Sequence, residues 1–452
     1  MMKQRENFDS RAAVIMAMAG SAIGLGNIWR FPYILGEYGC AAFIMLYIVA
    51  SLLVARPMFF AESVIGRRSR SNAYGALRDL APGTKWHWAG ILTIVSPLLI
   101  LSYYSVVGGW SVQYLFKSLS FDFTSASPEA VSGFFGSFIS STWQPILSHT
   151  VFIALVAGIV LGGVKKGIEK FSNIAMPVLF VLIVVLIVYS LTLPGSGKGV
   201  TYLLKPDFTK LNADAFAAAL GQAFFSLSLG VGTILTYSSY VKKEENLIAS
   251  GLGTAASDLV FAIMAAFAVI PAVFAAGIEP GAGPGLVFET LPFIFNKMAV
   301  SAPVVSSIIS IVFFVSILAA ALTSAISMLE VGVAFLTEEK GFKRVPATLL
   351  LALFTWVVGI LCSLSFGPMS EVKILGNTFF DFLDHLCSDW LMPIGGLVFT
   401  LFVGWKLTKP AVRDELTNGG KCNSVSYKIF YFLIRYVAPV GILGVFFTNL
   451  LL

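Results

Sequence analysis

The sequence predicts an all-α polytopic membrane protein of about eleven transmembrane helices, on three observations. Of its 452 residues, 57% are hydrophobic and only 12% are charged, against about 25% charged in soluble domains. Such a chain has too little polar surface to cover one soluble globule of this size. Several apolar stretches reach the ~20 residues that a helix needs to cross a bilayer, without the alternating polarity of an outer-membrane barrel. Finally, the basic residues fall mostly into every second connection between those stretches.

Apolar runs and their punctuation place the spans at 11–37, 41–66, 87–117, 148–164, 168–192, 213–240, 248–277, 302–337, 345–367, 378–405 and 426–450. The first run carries Arg11 and Arg30, follows Arg5 and has no small-residue cleavage site, so it reads as a retained span rather than a removable signal. With the N-terminus in the cytoplasm, twenty-one of the thirty basic residues lie inside. Six lie outside (Lys117, Lys198, Lys205, Lys210, Lys297 and Lys373), and Arg30, Arg56 and Arg435 lie within spans. That bias predicts a cytoplasmic N-terminus and an extracytoplasmic C-terminus. It also removes the nucleic-acid reading of the net charge of +6, because orientation charge beside anionic lipid forms no base-reading module.

The long outer connections, 118–147 and 278–301, hold Phe134, Phe135, Phe138, Trp143, Phe288, Phe293 and Phe295. So many aromatic residues predict caps packed over the bundle rather than disordered connectors. Cys40, Cys362, Cys387 and Cys422 make neither a disulfide framework nor a paired metal motif. No phosphate-binding glycine loop precedes a Lys-Ser/Thr pair, and His87, His149 and His385 have no metal-binding partner four residues on.

Two spans are weak helix at mid-depth. The first contains Gly20-Ser-Ala-Ile-Gly-Leu-Gly-Asn27, and the sixth Phe225-Ser-Leu-Ser-Leu-Gly-Val-Gly232. Interior glycine costs about 1 kcal/mol relative to alanine, and serine offers the backbone competing partners. Small residues also serve close helix packing, so either segment alone is ambiguous. Their separation by five spans shifts the balance toward breaks: an odd repeat inverts the second half, which suggests repeats at about 11–192 and 213–405 with an extra helix at 426–450, all in one domain spanning 1–452. Unwound backbone is tolerated in a membrane only where it is buried in protein or lines a cavity. Two breaks meeting at the midplane would offer amides to a carboxylate and carbonyls to an alkali cation.

At these residues the chain resembles the neurotransmitter:sodium symporter family, in particular its bacterial amino-acid transporters of the leucine-transporter type. The motifs are Gly20-Ser-Ala-Ile-Gly-Leu-Gly-Asn-Ile-Trp-Arg-Phe-Pro32, Glu62 with Gly66-Arg67, Tyr103-Tyr104, Gln222-Ala-Phe-Phe-Ser-Leu-Ser-Leu-Gly230 and Leu322-Thr-Ser324. The resemblance implies the leucine-transporter fold, a 5+5 inverted repeat with broken helices 1 and 6. It further implies a sodium-coupled symporter of the bacterial inner (plasma) membrane, working by alternating access as a monomer or weak dimer.

Two sodium ions are implied. One would take carbonyls of Ala22 and Ser226, the Ser226 hydroxyl, the Asn27 amide oxygen and Asp258; the other, carbonyls of Gly20, Ile23 and Ala320 with the hydroxyls of Thr323 and Ser324. Mostly neutral oxygen sets suit a hard monovalent cation. The substrate would lie among Ala22, Leu25, Gly26, Ile100, Tyr104, Phe225, Ser226, Ser228, Val231, Ser324, Ala325 and Met328. Monoamine transporters of the family carry an aspartate where this chain has Gly24, so the substrate should bring its own carboxylate. A pocket without charge excludes acidic and basic amino acids. Val231 replaces a phenylalanine of leucine-type relatives, and Met328 is deformable, which together point to a bulky hydrophobic or aromatic neutral amino acid.

The resemblance also assigns supporting roles. Asp258 would supply the fixed charge that chloride provides in animal relatives, making chloride unnecessary, and it could exchange a proton. Glu62 would satisfy amides freed by the break in span 6. Arg30 would meet Asp384 or Asp381 as an outer gate; Arg5 and Glu338, with Phe8 and Tyr240, would close the inner side. Exposed ion pairs are weak, which suits gates that open. Gly167 and Pro177 mark a start of span 5 able to unwind. Glu330 is left open between a structural hydrogen bond and a role in the ion path. Rival readings are an amino-acid receptor that does not transport, and a proton-coupled transporter using Asp258.

Overall fold

The computed structural model describes residues 6–277, 286–421 and 424–451. Among them, nine helices are long and apolar enough to cross a membrane: Ala41–Ser69, Trp86–Leu119, Trp143–Leu161, Val164–Thr192, Leu247–Ala275, Pro303–Glu339, Arg344–Leu364, Phe379–Lys406 and Tyr427–Phe446. These are spans 2–5 and 7–11 of the sequence reading. Span 1 is a bent pair, Arg11–Ala22 and Gly26–Glu37, whose axes meet at 57°. Span 6 is two shorter helices, Ala213–Ser226 and Thr233–Ser238, parted by non-helical backbone.

Local chemistry explains the boundaries. Ser10, Asn212 and Asn246 accept main-chain N–H groups at the starts of spans 1, 6 and 7, which satisfies donors that a helix start leaves free. Span 4 begins at Trp143, five residues before the expected start. Pro145 sits in that first turn, where its missing N–H leaves no gap.

Span 3 is the centre of the scaffold. A Cβ on Gly109 would lie 2.6 Å from the His149 amide nitrogen, and one on Gly359 would lie 2.8 Å from the Ser102 carbonyl oxygen. Spans 4 and 9 therefore approach through small residues, as membrane helices do where packing replaces the hydrophobic drive. The outward faces are apolar and exposed, with Val181, Val184 and Val188 on span 5 and Leu349, Leu353 and Val357 on span 9.

The two long connections pack as caps where they are described. Residues 118–147 form helices Asp122–Ser125 and Pro128–Ser140 before span 4. Phe135 stacks on Phe288 at 5.7 Å, both rings contact Trp110, and the Tyr114 hydroxyl donates to the Phe288 carbonyl at 2.6 Å. Trp143 is the correction: it is 78% exposed at the start of span 4 rather than part of the cap. Residues 278–285 lie outside the described residues. Cys40, Cys362 and Cys387 are buried free thiols, and Cys422 lies outside the described residues.

Candidate functional site

Both helix breaks fall where glycine and serine interrupt the apolar runs. In span 1 the helix ends at Ala22, Ile23 turns extended with ψ 105°, and the chain re-enters as a widened π-helical turn, Gly26–Arg30. The Asn27 side-chain oxygen accepts the Gly24 N–H at 3.0 Å, and the Leu25 N–H reaches the Tyr104 hydroxyl at 3.3 Å. In span 6, Ser228, Gly230 and Gly232 have φ of 52°, 81° and 70°. Left-handed backbone at a serine is strained and persists only when its surroundings enforce it. Here the Ser228 hydroxyl donates to the Ser21 carbonyl at 2.8 Å. Glu62 accepts the Gly230 N–H at 2.7 Å and the Leu235 N–H at 3.4 Å, so it satisfies amides at and beyond the break.

The breaks enclose a cavity lined by Ser21, Ala22, Gly24, Leu25, Gly26, Ile100, Tyr104, Phe225, Ser226, Ser228, Val231, Ser324, Met328 and Met392. The structure thus gathers Ala22, Leu25, Gly26, Ile100, Tyr104, Phe225, Ser226, Ser228, Val231, Ser324 and Met328 from four spans. No charged side chain is among them, so a ligand here must carry balanced charge or none. At Gly24 a Cβ would lie 2.5 Å from Ser324 Oγ and 3.0 Å from the Tyr104 hydroxyl. That corner holds two hydroxyls and excludes a larger side chain.

Two clusters of oxygen atoms flank the cavity. In one, Thr323 Oγ1 lies 2.9 Å from the Ala320 carbonyl and 3.4 Å from that of Ile23; Ser324 Oγ lies 3.5, 3.1 and 3.4 Å from the carbonyls of Gly20, Ser21 and Ile23. All five expected groups converge, and Ser21 adds a further carbonyl. In the other, Asp258 Oδ1 accepts the Ser226 hydroxyl at 2.6 Å and the Asn27 Nδ2 at 2.8 Å, while Tyr47 reaches Oδ2 at 3.3 Å. Asn27 therefore turns its NH2 toward Asp258 and its oxygen toward Gly24; an ion taking that oxygen must draw it off the Gly24 N–H. Either cluster is a set of oxygen donors fitted to a hard cation.

The end of the bundle expected to face the cytoplasm is closed by aromatic packing over an ion pair whose carboxylate is buried. Phe8 is 1% exposed and lies edge-on to Tyr237 at 5.9 Å and Tyr240 at 6.1 Å. The Tyr240 hydroxyl donates at 2.8 Å to Glu330, which also holds Arg344 at 2.5 Å. Glu330, left open by the sequence, thus bridges the end of span 6 to the start of span 9. Glu338 accepts from Asn72 at the start of the helix Ala73–Leu80, and Arg5 lies outside the described residues.

At the residues expected to form an outer gate, the contacts differ from those expected. Among the described residues Arg30 makes no ion pair with Asp384 or Asp381. Asp384 instead accepts the Ser388 hydroxyl at 3.1 Å, and Asp381 takes part in the Thr378 helix cap. The Arg30 guanidinium lies 5.3 Å over the Phe225 ring and lines an upper cavity with Asp214, Ser388 and Asp389. A π-helical stretch, Leu386–Leu391, accompanies the shift: each wide turn of helix displaces the following residues, and Asp389 rather than Asp384 faces this cavity. Phe225 and Met392 line both cavities and so form the wall between them.

Sequence reasoning missed Met392 and Arg344. Met392 carries no polarity signal in an apolar run. Arg344 had one, since a buried acid in a span demands a cation, and this one stands fourteen residues on. At the start of span 5, Gly163 with φ 82° leads into a π-helical turn, Val164–Glu169, that contains Gly167, and Pro177 lies within the helix that follows. Glu6 accepts the Val164 N–H at 2.8 Å, fastening that turn to the chain before span 1.

A model of the family described as Sodium:neurotransmitter symporter family matches residues 5–130 and 137–452. The chain is 38% identical to the uncharacterized sodium-dependent transporter YhdH of Bacillus subtilis, over 97% of this chain and 96% of that protein. It is 34% identical to an uncharacterized sodium-dependent transporter of Haemophilus influenzae, over 99% of each. The crystal structure of MhsT in complex with L-phenylalanine superposes with a TM-score of 0.90 at 41% identity, over 99% of this chain and 100% of that one.

Proposed function

We propose, from the premise that this chain belongs to the sodium:neurotransmitter symporter family, that it imports a neutral hydrophobic or aromatic L-amino acid together with sodium. Sodium-coupled transport by a multi-pass membrane protein is what the family supplies; the substrate, stoichiometry and orientation are our reading. The observation that carries it is the corner at Gly24, where Ser324 Oγ and the Tyr104 hydroxyl stand in the place of any side chain. With no counter-charge for a bare amine, the ligand must bring a carboxylate, and the apolar walls take an apolar side chain. That MhsT is described with L-phenylalanine supports the same class.

In this reading the carboxylate meets the Leu25 and Gly26 amides, the Tyr104 hydroxyl and the sodium held by Ala22, Asn27, Ser226 and Asp258. The ammonium meets carbonyls of Ala22, Phe225 and Ser226. A second sodium sits among Gly20, Ile23, Ala320, Thr323 and Ser324. Asp258 supplies the negative charge, so chloride is not required. Spans 1, 2, 6 and 7, drawn from the two repeats, rock against spans 3, 4, 8 and 9. Sodium favours the outward-open state and substrate permits closure. The N-terminus lies in the cytoplasm of a bacterial plasma membrane.

The test is uptake of labelled neutral amino acids into proteoliposomes under an inward sodium gradient, with potassium replacing sodium and gluconate replacing chloride. Uptake of a hydrophobic amino acid that stops without sodium and continues without chloride is the expected result. Sodium-dependent binding without accumulation in tight vesicles would instead identify a receptor.

A further inference from the structure

Arg435 lies within span 11, and among the described residues no carboxylate stands within ion-pair distance of it. An arginine in a span is costly unless paired or brought to an interface, and is a functional site by default. The surroundings of this one are built. Two π-helical turns, Phe402–Lys406 at the end of span 10 and Leu433–Val437 in span 11, pack against each other. Gly404 permits the approach, since a Cβ there would lie 3.0 Å from the Arg435 Cα. Side chains bind the facing backbones reciprocally: the Trp405 indole N–H donates to the Arg435 carbonyl at 3.3 Å, and the Tyr431 hydroxyl donates to the Gly404 carbonyl at 3.3 Å.

This frame fixes the guanidinium. It lies 4.4 Å over the Trp405 ring and 5.6 Å over that of Tyr436, and one of its N–H groups donates to the Tyr431 hydroxyl at 3.3 Å. Its Nε is buried and unpartnered. The flanking rings of Trp405, Phe432 and Tyr436 are 57%, 56% and 47% exposed on the outer surface of the bundle. Trp405 lies one residue from the end of its span, and Arg435, the ninth residue of span 11, packs level with it, within snorkelling reach of the headgroups on the leaflet that the basic residues assign to the cytoplasm.

We propose that Arg435, clamped between Trp405 and Tyr436, is a binding site for the phosphate of an anionic phospholipid. A planar guanidinium presents parallel N–H donors matched to phosphate oxygens. Ring stacking keeps it from turning to water, and Phe432 and Tyr436 offer an apolar flank to the first carbons of the acyl chains. A zwitterionic phospholipid brings its own cation to the same phosphate and gains less. The occupant is thus the intact lipid: the site needs both headgroup charge and tail contact.

The test uses the full chain in detergent and native mass spectrometry, titrating phosphatidylglycerol and, separately, phosphatidylcholine against wild type, Arg435→Gln and Trp405→Leu. Circular dichroism and thermal melts in detergent check that each variant is folded; Arg435→Lys, which keeps charge but loses the planar fork, serves if the glutamine variant is not. Wild type is expected to retain one phosphatidylglycerol at least tenfold more tightly than any of these variants, and than phosphatidylcholine. Equal retention by wild type and a folded variant overturns the proposal, as does equal affinity for the two lipids. Displacement of the lipid by an equal concentration of inorganic phosphate also overturns it, since the occupant would then be a soluble anion.

Discussion

The Ser226 hydroxyl donates a 2.6 Å hydrogen bond to Asp258 Oδ1, joining the last helical residue before the break in span 6 to the middle of span 7. Asn27 of span 1 donates to the same oxygen, so one carboxylate holds the edges of both breaks. If its fixed charge serves the sodium beside it, Asp258→Asn should remove uptake in gluconate by at least tenfold, about 1.4 kcal/mol per decade, and chloride should restore it. Uptake by this variant that ignores chloride would show that the charge is not needed.

Gly24 gives a second expectation. Because a Cβ there meets Ser324 Oγ at 2.5 Å and Tyr104 at 3.0 Å, Gly24→Ala must move one of them. Overpacking of this kind typically costs 1–3 kcal/mol. Amino-acid affinity should fall by about tenfold or more, measured by sodium-dependent binding at equilibrium. Gly24→Asp should fail to bind neutral amino acids; tight binding by it would mean that the carboxylate of the ligand does not occupy this corner.

Glu330 supports a third. It is fully buried, receives the Tyr240 hydroxyl and pairs with Arg344, which is 27% exposed on its side chain. Glu330→Gln keeps the shape but breaks the ion pair. Loss of one partner leaves the other charge half-buried and weakens the closed inner face. Labelling from the cytoplasmic side of a cysteine placed at Thr236, which is buried in the helix leading from the span 6 break to Tyr240, with the native cysteines replaced by serine, should rise roughly tenfold, about 1.4 kcal/mol and less than for a fully buried pair because Arg344 is partly exposed. An unchanged rate would assign Glu330 to stability alone, and a thermal melt would then register the loss.

How far the sequence reaches is clear from individual residues. Gly20–Asn27 and Phe225–Gly232 announce their breaks because glycine and serine in a span have a local energetic consequence, and local consequences are legible. The pocket followed from motifs, yet Met392 did not, since an apolar residue in an apolar run has no register until helices pack. That Asp389, and neither Asp384 nor Asp381, lines the cavity beside Arg30 was illegible for a related reason: it requires the helical phase, and the π-helical stretch Leu386–Leu391 changes that phase with no mark in composition. Trp143 shows the same limit, because the aromatic content of a loop does not say which rings pack and which stay exposed.

The start of span 5 yields the last expectation. Pro177 has no N–H to give to the Asn173 carbonyl, and Gly167, ten residues earlier, lies in a π-helical turn so tight against span 4 that a Cβ would come 2.1 Å from the Ile159 carbonyl oxygen. Met176, beside the proline, stands 3.5 Å from where a Gly20 Cβ would project, so this segment borders the oxygen cluster formed by the Gly20 and Ile23 carbonyls and the Thr323 hydroxyl. Unwinding here would open that cluster to the cytoplasm. Alanine at 177 restores the missing hydrogen bond and improves helix propensity by up to ~3 kcal/mol, which opposes unwinding. Pro177→Ala should therefore leave equilibrium binding of sodium and substrate near the wild-type value while lowering the turnover of uptake several-fold. A variant that turns over at the wild-type rate would mean that the ion leaves without melting this turn; one that loses binding instead would mean that Pro177 shapes the site rather than its exit.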